Sequence, residues 1–146
     1  MSTQDSLSNK EIFDLLLQLL HAERAGAKVC MQSIQEAPSD EYRQILLDIH
    51  RDESNSCAGL LNSIKIIGAT ADHRVGDFAK KCLIISNFND RLQYLNRGQQ
   101  WVVRKIEDAI TKIHINQVQS QLREMLDVHR DNVTRIDQFL EQRTPD

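Results

Sequence analysis

Apolar residues recur at alternating three- and four-residue spacing in four long stretches of this chain, the signature of amphipathic helices. The stretches run over about 8–36, 39–67, 88–113 and 116–142, and a shorter helical piece falls at about 75–85. Breaks in the pattern set their ends. Ala37-Pro38-Ser39-Asp40 closes the first stretch and offers an N-cap to the second, and Gly68-Ala-Thr-Ala-Asp72 closes the second. Ser86-Asn-Phe-Asn-Asp90 opens the third, a weaker break lies near His114–Gln117, and Thr144-Pro145 ends the fourth. With only 5 Gly and 2 Pro there are too few turn residues for a β-protein. The pattern predicts one all-α domain over 1–146, with its core at about 9–142.

Each apolar stripe is interrupted once, near its middle, by a polar side chain. The first reads Ile12, Leu16, Leu19, Glu23, Gly26, Cys30, Ile34, and the second Leu46, Ile49, Glu53, Cys57, Leu60, Ile64, Ile67. The third reads Phe88, Leu92, Leu95, Gln99, Val102, Ile106, Ile110, and the fourth Val118, Leu122, Met125, His129, Val133 (or Asn132), Ile136, Leu140. Helices packed round one core bring their midpoints to the same depth, so Glu23, Glu53, Gln99 and His129 are expected to meet. A buried carboxylate costs several kcal/mol without a partner, so two of them require a cation, a proton or hydrogen-bond donors.

The heptapeptide LDIHRDE at 47–53 returns as LDVHRDN at 126–132. It pairs His50 with His129 and Glu53 with Asn132, and so suggests two equivalent helical hairpins joined by a long connection. His50 and Asn132 are read as lying on the flanks of their stripes.

Four segments resemble the ferritin-like superfamily, and more closely a bacterial ferritin-like family of unknown function. They are LLLQLLHAERAGAK, HRDESNSCAGLL, LNRGQQWVVRKIEDAI and EMLDVHRDNV, the third being the most specific. The resemblance covers about 9–142. It implies a ferritin-like four-helix bundle with a short additional helix in the connection between the second and third long helices. The superfamily's dimetal pattern places Glu on one helix, Glu-x-x-His on the next, Glu on the third and Glu-x-x-His on the last. Mapped here, Glu23 and Glu53 match. Ser56 stands at the first histidine position, Gln99 at the third-helix glutamate, and His129 and Asn132 where Glu and His would fall. Two carboxylates carry too little charge for two divalent ions.

Three readings follow for the cluster. A single Fe, Mn or Zn ion could be held by Glu23, Glu53 and His129 with His50 contributing, for redox or oxygen-related chemistry. Alternatively the layer holds no metal, and the two glutamates are satisfied by His129, Gln99 and Asn132, with Ser56 a further member of the polar cluster. In the third reading the same groups orient a small-molecule ligand of unknown identity, or the domain serves as an interaction module.

Composition narrows the partners. A net charge of −3 and a pI near 5.9 give no basic surface for nucleic acid. No apolar run approaches the ~20 residues of a membrane span, and MSTQDSLSNK lacks a signal-peptide core. Three unpaired-looking cysteines, Cys30, Cys57 and Cys82, suit a reducing cytoplasm, and Cys30 and Cys57 fall on stripes as small buried groups. Tyr94 and Trp101 are expected on a different side of the third helix from Gln99. There they would pack under the 75–85 helix or form a homodimer contact, with Arg97, Arg104 and Lys105 also facing away. Arg24 and Asp52 are expected at the surface or supporting the core glutamates from outside, not as ligands, and His21, His73 and His114 in solvent.

Overall fold

The computed structural model describes residues 6–143, and every regular element among them is helical. Five α-helices follow in order: α1 (Asn9–Glu36), α2 (Asp40–Ile66), α3 (Phe78–Leu83), α4 (Phe88–Ala109) and α5 (Asn116–Glu141). A 3-10 turn, Ile110–Lys112, extends α4.

Local chemistry explains the boundaries. Ser8 and Glu11 form a reciprocal capping box at the start of α1, satisfying two otherwise bare amides. Ser39 caps α2 by accepting from the Tyr42 amide, and Asn87 caps α4 by accepting from that of Asp90. Gly68 takes a positive φ of 78° after α2, a conformation open to glycine at no steric cost. The weak break before α5 is held from beyond it. The Gln119 side chain donates to the carbonyls of Ile110 (2.8 Å) and Ile113 (3.3 Å), which the ending helix leaves without partners.

α1 pairs with α2 and α4 with α5, while α2 also meets α5 and α1 meets α4. The core divides into two apolar clusters. One gathers Leu16, Leu20, Leu60, Ile64, Ile106 and Leu122. The other gathers Val29, Leu46, Ile49, Leu92, Leu95 and Ile136. Chain direction follows from the order in which each helix visits them. α1 and α5 run from the first cluster to the second, and α2 and α4 run the opposite way. Because α2 and α4 are parallel, the connection 67–87 must travel the length of the molecule. It crosses the gap between α1 and α4, with α3 packed on both.

That crossing is pinned at its middle. Asp72 accepts from His21 Nε2 at 2.8 Å, Arg24 reaches Asp72 at 3.5 Å and the Arg74 carbonyl at 3.0 Å, and the Gly76 amide donates to the His21 carbonyl. His21 is therefore half-buried in a clasp and not solvated, unlike His73 and His114, which are exposed. Arg24 is likewise a clasp residue. The Asp72→Asn variant should melt close to wild type but exchange the Gly76 amide faster, measured by hydrogen exchange. Unchanged protection there would show that the clasp is not what holds the connection down.

A second buried polar group lies at the far end. Arg91, 4% exposed, donates to the Leu83 and Ile85 carbonyls at the end of α3 and to the Ser33 hydroxyl. A cation there complements the negative end of the helix and its unpaired carbonyls. Nothing in the stripes marked Arg91, because it precedes a stripe leucine by one residue and looks like a surface charge.

Candidate metal centre

Between the two apolar clusters lies a polar layer. Glu23 and Glu53 are each 1% exposed, Gln99 2%, His129 0% and Asn132 1%. The four central stripe residues meet, since donor atoms of Glu23, Glu53 and His129 lie within 4.8 Å of one another and Gln99 hydrogen-bonds to Glu53. Asn132, not Val133, is the buried position that follows on α5. Ser56 also turns inward, leaving Cys57 half-buried. At the stripe ends Ile34 and Ile67 are only half-buried, and Ser33 and Ser63 take the inner positions.

His50 does not join the layer. Among the described residues, the donor atoms of Glu23, Glu53 and His129 converge within 4.8 Å, and His50 stands outside that group, half-exposed. The repeated heptapeptide misleads here because its two copies sit at different rotations. α5 turns Leu126 and His129 inward, whereas α2 turns Ile49 inward and leaves Leu47 exposed and His50 at the edge. Only the Glu53 and Asn132 positions are buried in both copies.

The hydrogen bonds of the layer are incomplete in an informative way. His129 Nδ1 lies 2.8 Å from the Met125 carbonyl oxygen, which can only accept, so Nδ1 carries a proton. In the neutral ring, Nε2 then presents its lone pair. It stands 2.7 Å from Glu23 Oε1, yet neither atom has a hydrogen-bond partner. Gln99 Nε2 donates a hydrogen bond to Glu53 Oε1, while Glu53 Oε2, Gln99 Oε1 and Asn132 Nδ2 remain bare. Two lone pairs facing at that distance in a dry layer repel unless a proton or a cation lies between them.

The electrostatics agree. Burial pushes the Glu23 carboxyl up to about 7, with the neighbouring Glu53 and the Ser56 hydroxyl pulling the other way. Glu53 is raised well above the ordinary carboxylate range, first by burial and then by the charge of Glu23, against the pull of His129 and Gln99. Gly26 is part of this layer for a steric reason. A Cβ there would stand 2.9 Å from Glu53 Cδ and Oε1, so glycine lets the carboxyl lie against the α1 backbone.

A cavity of about 630 Å³ opens from the layer between α1 and α4. Glu23, Glu53 and Gln99 line its floor, Ala22, Leu95 and Val102 its walls, and Phe78, Tyr94 and Trp101 its aromatic side. Tyr94 stacks on Phe78 of α3 with ring centroids 5.1 Å apart, so it does pack against the short helix. Both aromatics nevertheless face the same cavity as Gln99, and so do Arg97 and Arg104. The expectation that they point elsewhere fails because α1 and α4 part here, exposing the flank of the stripe beside its centre. Lys105 sits over the Trp101 ring, 5.5 Å from its centroid. Asp52 is half-buried outside the polar layer and lines a separate, smaller pocket.

The three thiols are free, and Cys30 and Cys82 are fully buried. Burial pushes Cys57 up to about 12 and Cys82 to about 11, and raises Cys30 well above the ordinary thiol range, so none is a ready nucleophile.

Fold and site together define an all-α protein with a buried Glu–Glu–His layer at the foot of an apolar cavity. The chain belongs to the family described as Domain of unknown function (DUF6306), whose model matches residues 10–138. Neither a curated protein nor a solved structure matches it. No helix among the described residues is long and apolar enough to cross a membrane.

Proposed function

We propose that this domain is a ferritin-like four-helix bundle whose polar layer binds one divalent cation, Fe, Mn or Zn, through Glu23, Glu53 and His129. The observation that carries the reading is the bare His129 Nε2 set 2.7 Å from a bare Glu23 Oε1, with Nδ1 committed to a backbone carbonyl. A carbonyl fixing the distal nitrogen is the usual support for a metal-binding imidazole. The parallel α2 and α4 with a full-length crossing support the ferritin-like topology.

The donor set fits such an ion. Two carboxylates neutralise a divalent charge, and imidazole with oxygen donors suits these metals. Donors bonded at about 2.1 Å to one ion lie ~3.0–3.4 Å apart at tetrahedral or right angles, so donor atoms already within 4.8 Å of one another need to close by only on the order of 1 Å. An ion with open coordination positions would supply redox or oxygen-related chemistry at the cavity floor. The chain's own part is to orient the ligands: Met125 holds His129, Gln99 holds Glu53, and the two apolar clusters exclude water from either side.

The raised carboxyl groups favour a second reading, a metal-free layer neutralised by protons in a domain that binds a small ligand or a protein partner. Elemental analysis separates the two. Protein purified without chelator or nickel-affinity resin should carry one Fe, Mn or Zn ion per chain, lost in a folded Glu53→Ala variant. Folded wild-type protein that takes up none of the three ions when they are added would decide for the proton-neutralised layer.

A further inference from the structure

The cavity is more than an approach to the polar layer, because its rim and floor differ in charge. Arg97, Trp101 and Arg104 follow one another on α4 at four- and three-residue spacing, so they form one strip along the cavity mouth. Both arginines are exposed, and neither makes a hydrogen bond or ion pair to any described residue. The other basic side chains nearby are engaged, His21 and Arg24 by Asp72 and Lys105 by the face of Trp101. Between rim and floor the wall is apolar and aromatic. On the floor, the carboxyl oxygens Glu23 Oε1 and Glu53 Oε2 and the amide oxygen Gln99 Oε1 are buried acceptors without donors.

We infer that this cavity binds a small amphipathic organic acid, its carboxylate held at the mouth by Arg97 and Arg104 and its apolar body laid along Phe78, Tyr94 and Trp101 toward the polar layer. The orientation follows from charge. On the floor a carboxylate would face the bare oxygens of Glu23, Glu53 and Gln99 away from water, whereas at the mouth it meets two free guanidinium groups suited to bidentate carboxylate contacts. A volume of about 630 Å³ lies in the range of pockets that enclose a molecule of this size. Phe78 is held over the cavity by a close approach to α4, since a Cβ on Gly98 would stand 2.8 Å from its Cζ. The inference goes beyond the metal reading: rim and wall are the same whether a proton or a cation neutralises the floor, and the titrations in chelator and with Mn(II) separate the arginine mouth from any pull of a floor ion.

The chain's single tryptophan, Trp101, lines the cavity and supplies the readout. Trp101 fluorescence would be titrated with decanoate below its micelle-forming concentration and, in parallel, with uncharged 1-decanol, once in chelator and once with Mn(II). Decanoate should saturate the change and bind more tightly than decanol. Arg97→Ala with Arg104→Ala should weaken decanoate about tenfold, a modest loss for two partly solvated ion pairs, and leave decanol within about twofold. Arg97→Lys with Arg104→Lys should recover part of the loss, and added salt should weaken decanoate alone. Loss of metal uptake with decanoate binding intact would fail the metal proposal and leave this one standing. No saturable Trp101 response to either probe would overturn it. So would equal affinity for acid and alcohol, unmoved by the arginine variants.

Discussion

In the presence of chelator, the protein should lose stability as pH rises from about 4.5 through about 7, the reverse of what paired surface carboxylates produce. Glu23 has its folded-state value raised to about 7 from 4.5, and Glu53 is raised as well. The folded state therefore binds more protons than the unfolded chain in this window, and stability falls with pH. What protonation contributes is complete below 4.5 and gone above the folded values. For fully buried Glu23 alone, a pKa unit being worth about 1.4 kcal/mol, the change is roughly 3 kcal/mol, on the order of 10 °C in melting temperature. The lowered carboxylates do not mask it. Asp48, lowered by the Arg135 hydrogen bond against the burial that raises it, and Asp72, lowered by that of His21, lose their contribution as pH falls below the ordinary carboxylate range. Their window lies beneath that of Glu23.

Metal should reverse the slope, since an ion competes with protons for the same carboxyl oxygens. Melting curves at pH 5, 6, 7 and 8, in chelator and with Mn(II), give the test. The double variant Glu23→Gln with Glu53→Gln should flatten the chelator curve between pH 5 and 7. A wild-type curve already flat there would mean that the two carboxyl groups reach water, and the dry layer would be wrong.

The apolar periodicity makes the fold legible because both halves of the signal survive in one sequence. Stripe spacing fixes the helices, and Ser8, Ser39, Asn87 and Gly68 punctuate them at physically necessary places. The layer is legible for a related reason. Glu23, Glu53, Gln99 and His129 each break a stripe at mid-helix, where antiparallel and parallel neighbours alike reach the same depth. Rotation about the helix axis is harder to read. His50 and Cys57 lie within one residue of buried positions, and a turn of about 100° per residue decides between core and edge. The cavity could not be read at all. It exists because the 67–87 connection crosses between α1 and α4, and such a gap leaves no periodic trace in either helix. Glycine gave the missed signal at two points: Gly26 and Gly98 stand in helices where alanine would be favoured by about 1 kcal/mol, and each makes room for a specific neighbour, Glu53 or Phe78.

Gln99→Glu should have opposite effects with and without metal, and both should be large. Gln99 is buried, donates to Glu53 through Nε2, and leaves its own Oε1 bare toward the cavity. Glutamate in its place deletes that donor and adds a third carboxyl beside two. At an effective dielectric near 20 a like-charge pair about 4 Å apart costs about 4 kcal/mol, and protonation limits the penalty that is felt. In chelator the variant should therefore melt well below wild type, by roughly 2–4 kcal/mol in stability, and the deficit should grow with pH as protonation is lost. With Mn(II) or Fe(II) the same carboxyl becomes a fourth donor facing the ion. Metal affinity should rise at least about tenfold, since a desolvated charge pair exceeds the 1.4 kcal/mol that a decade requires. The melting temperature should then recover to or past that of wild type. Destabilisation in both conditions would keep the polar layer and remove the ion from it. A melting temperature unchanged in both would place Gln99 outside the layer, and with it the convergence of four helices on one depth.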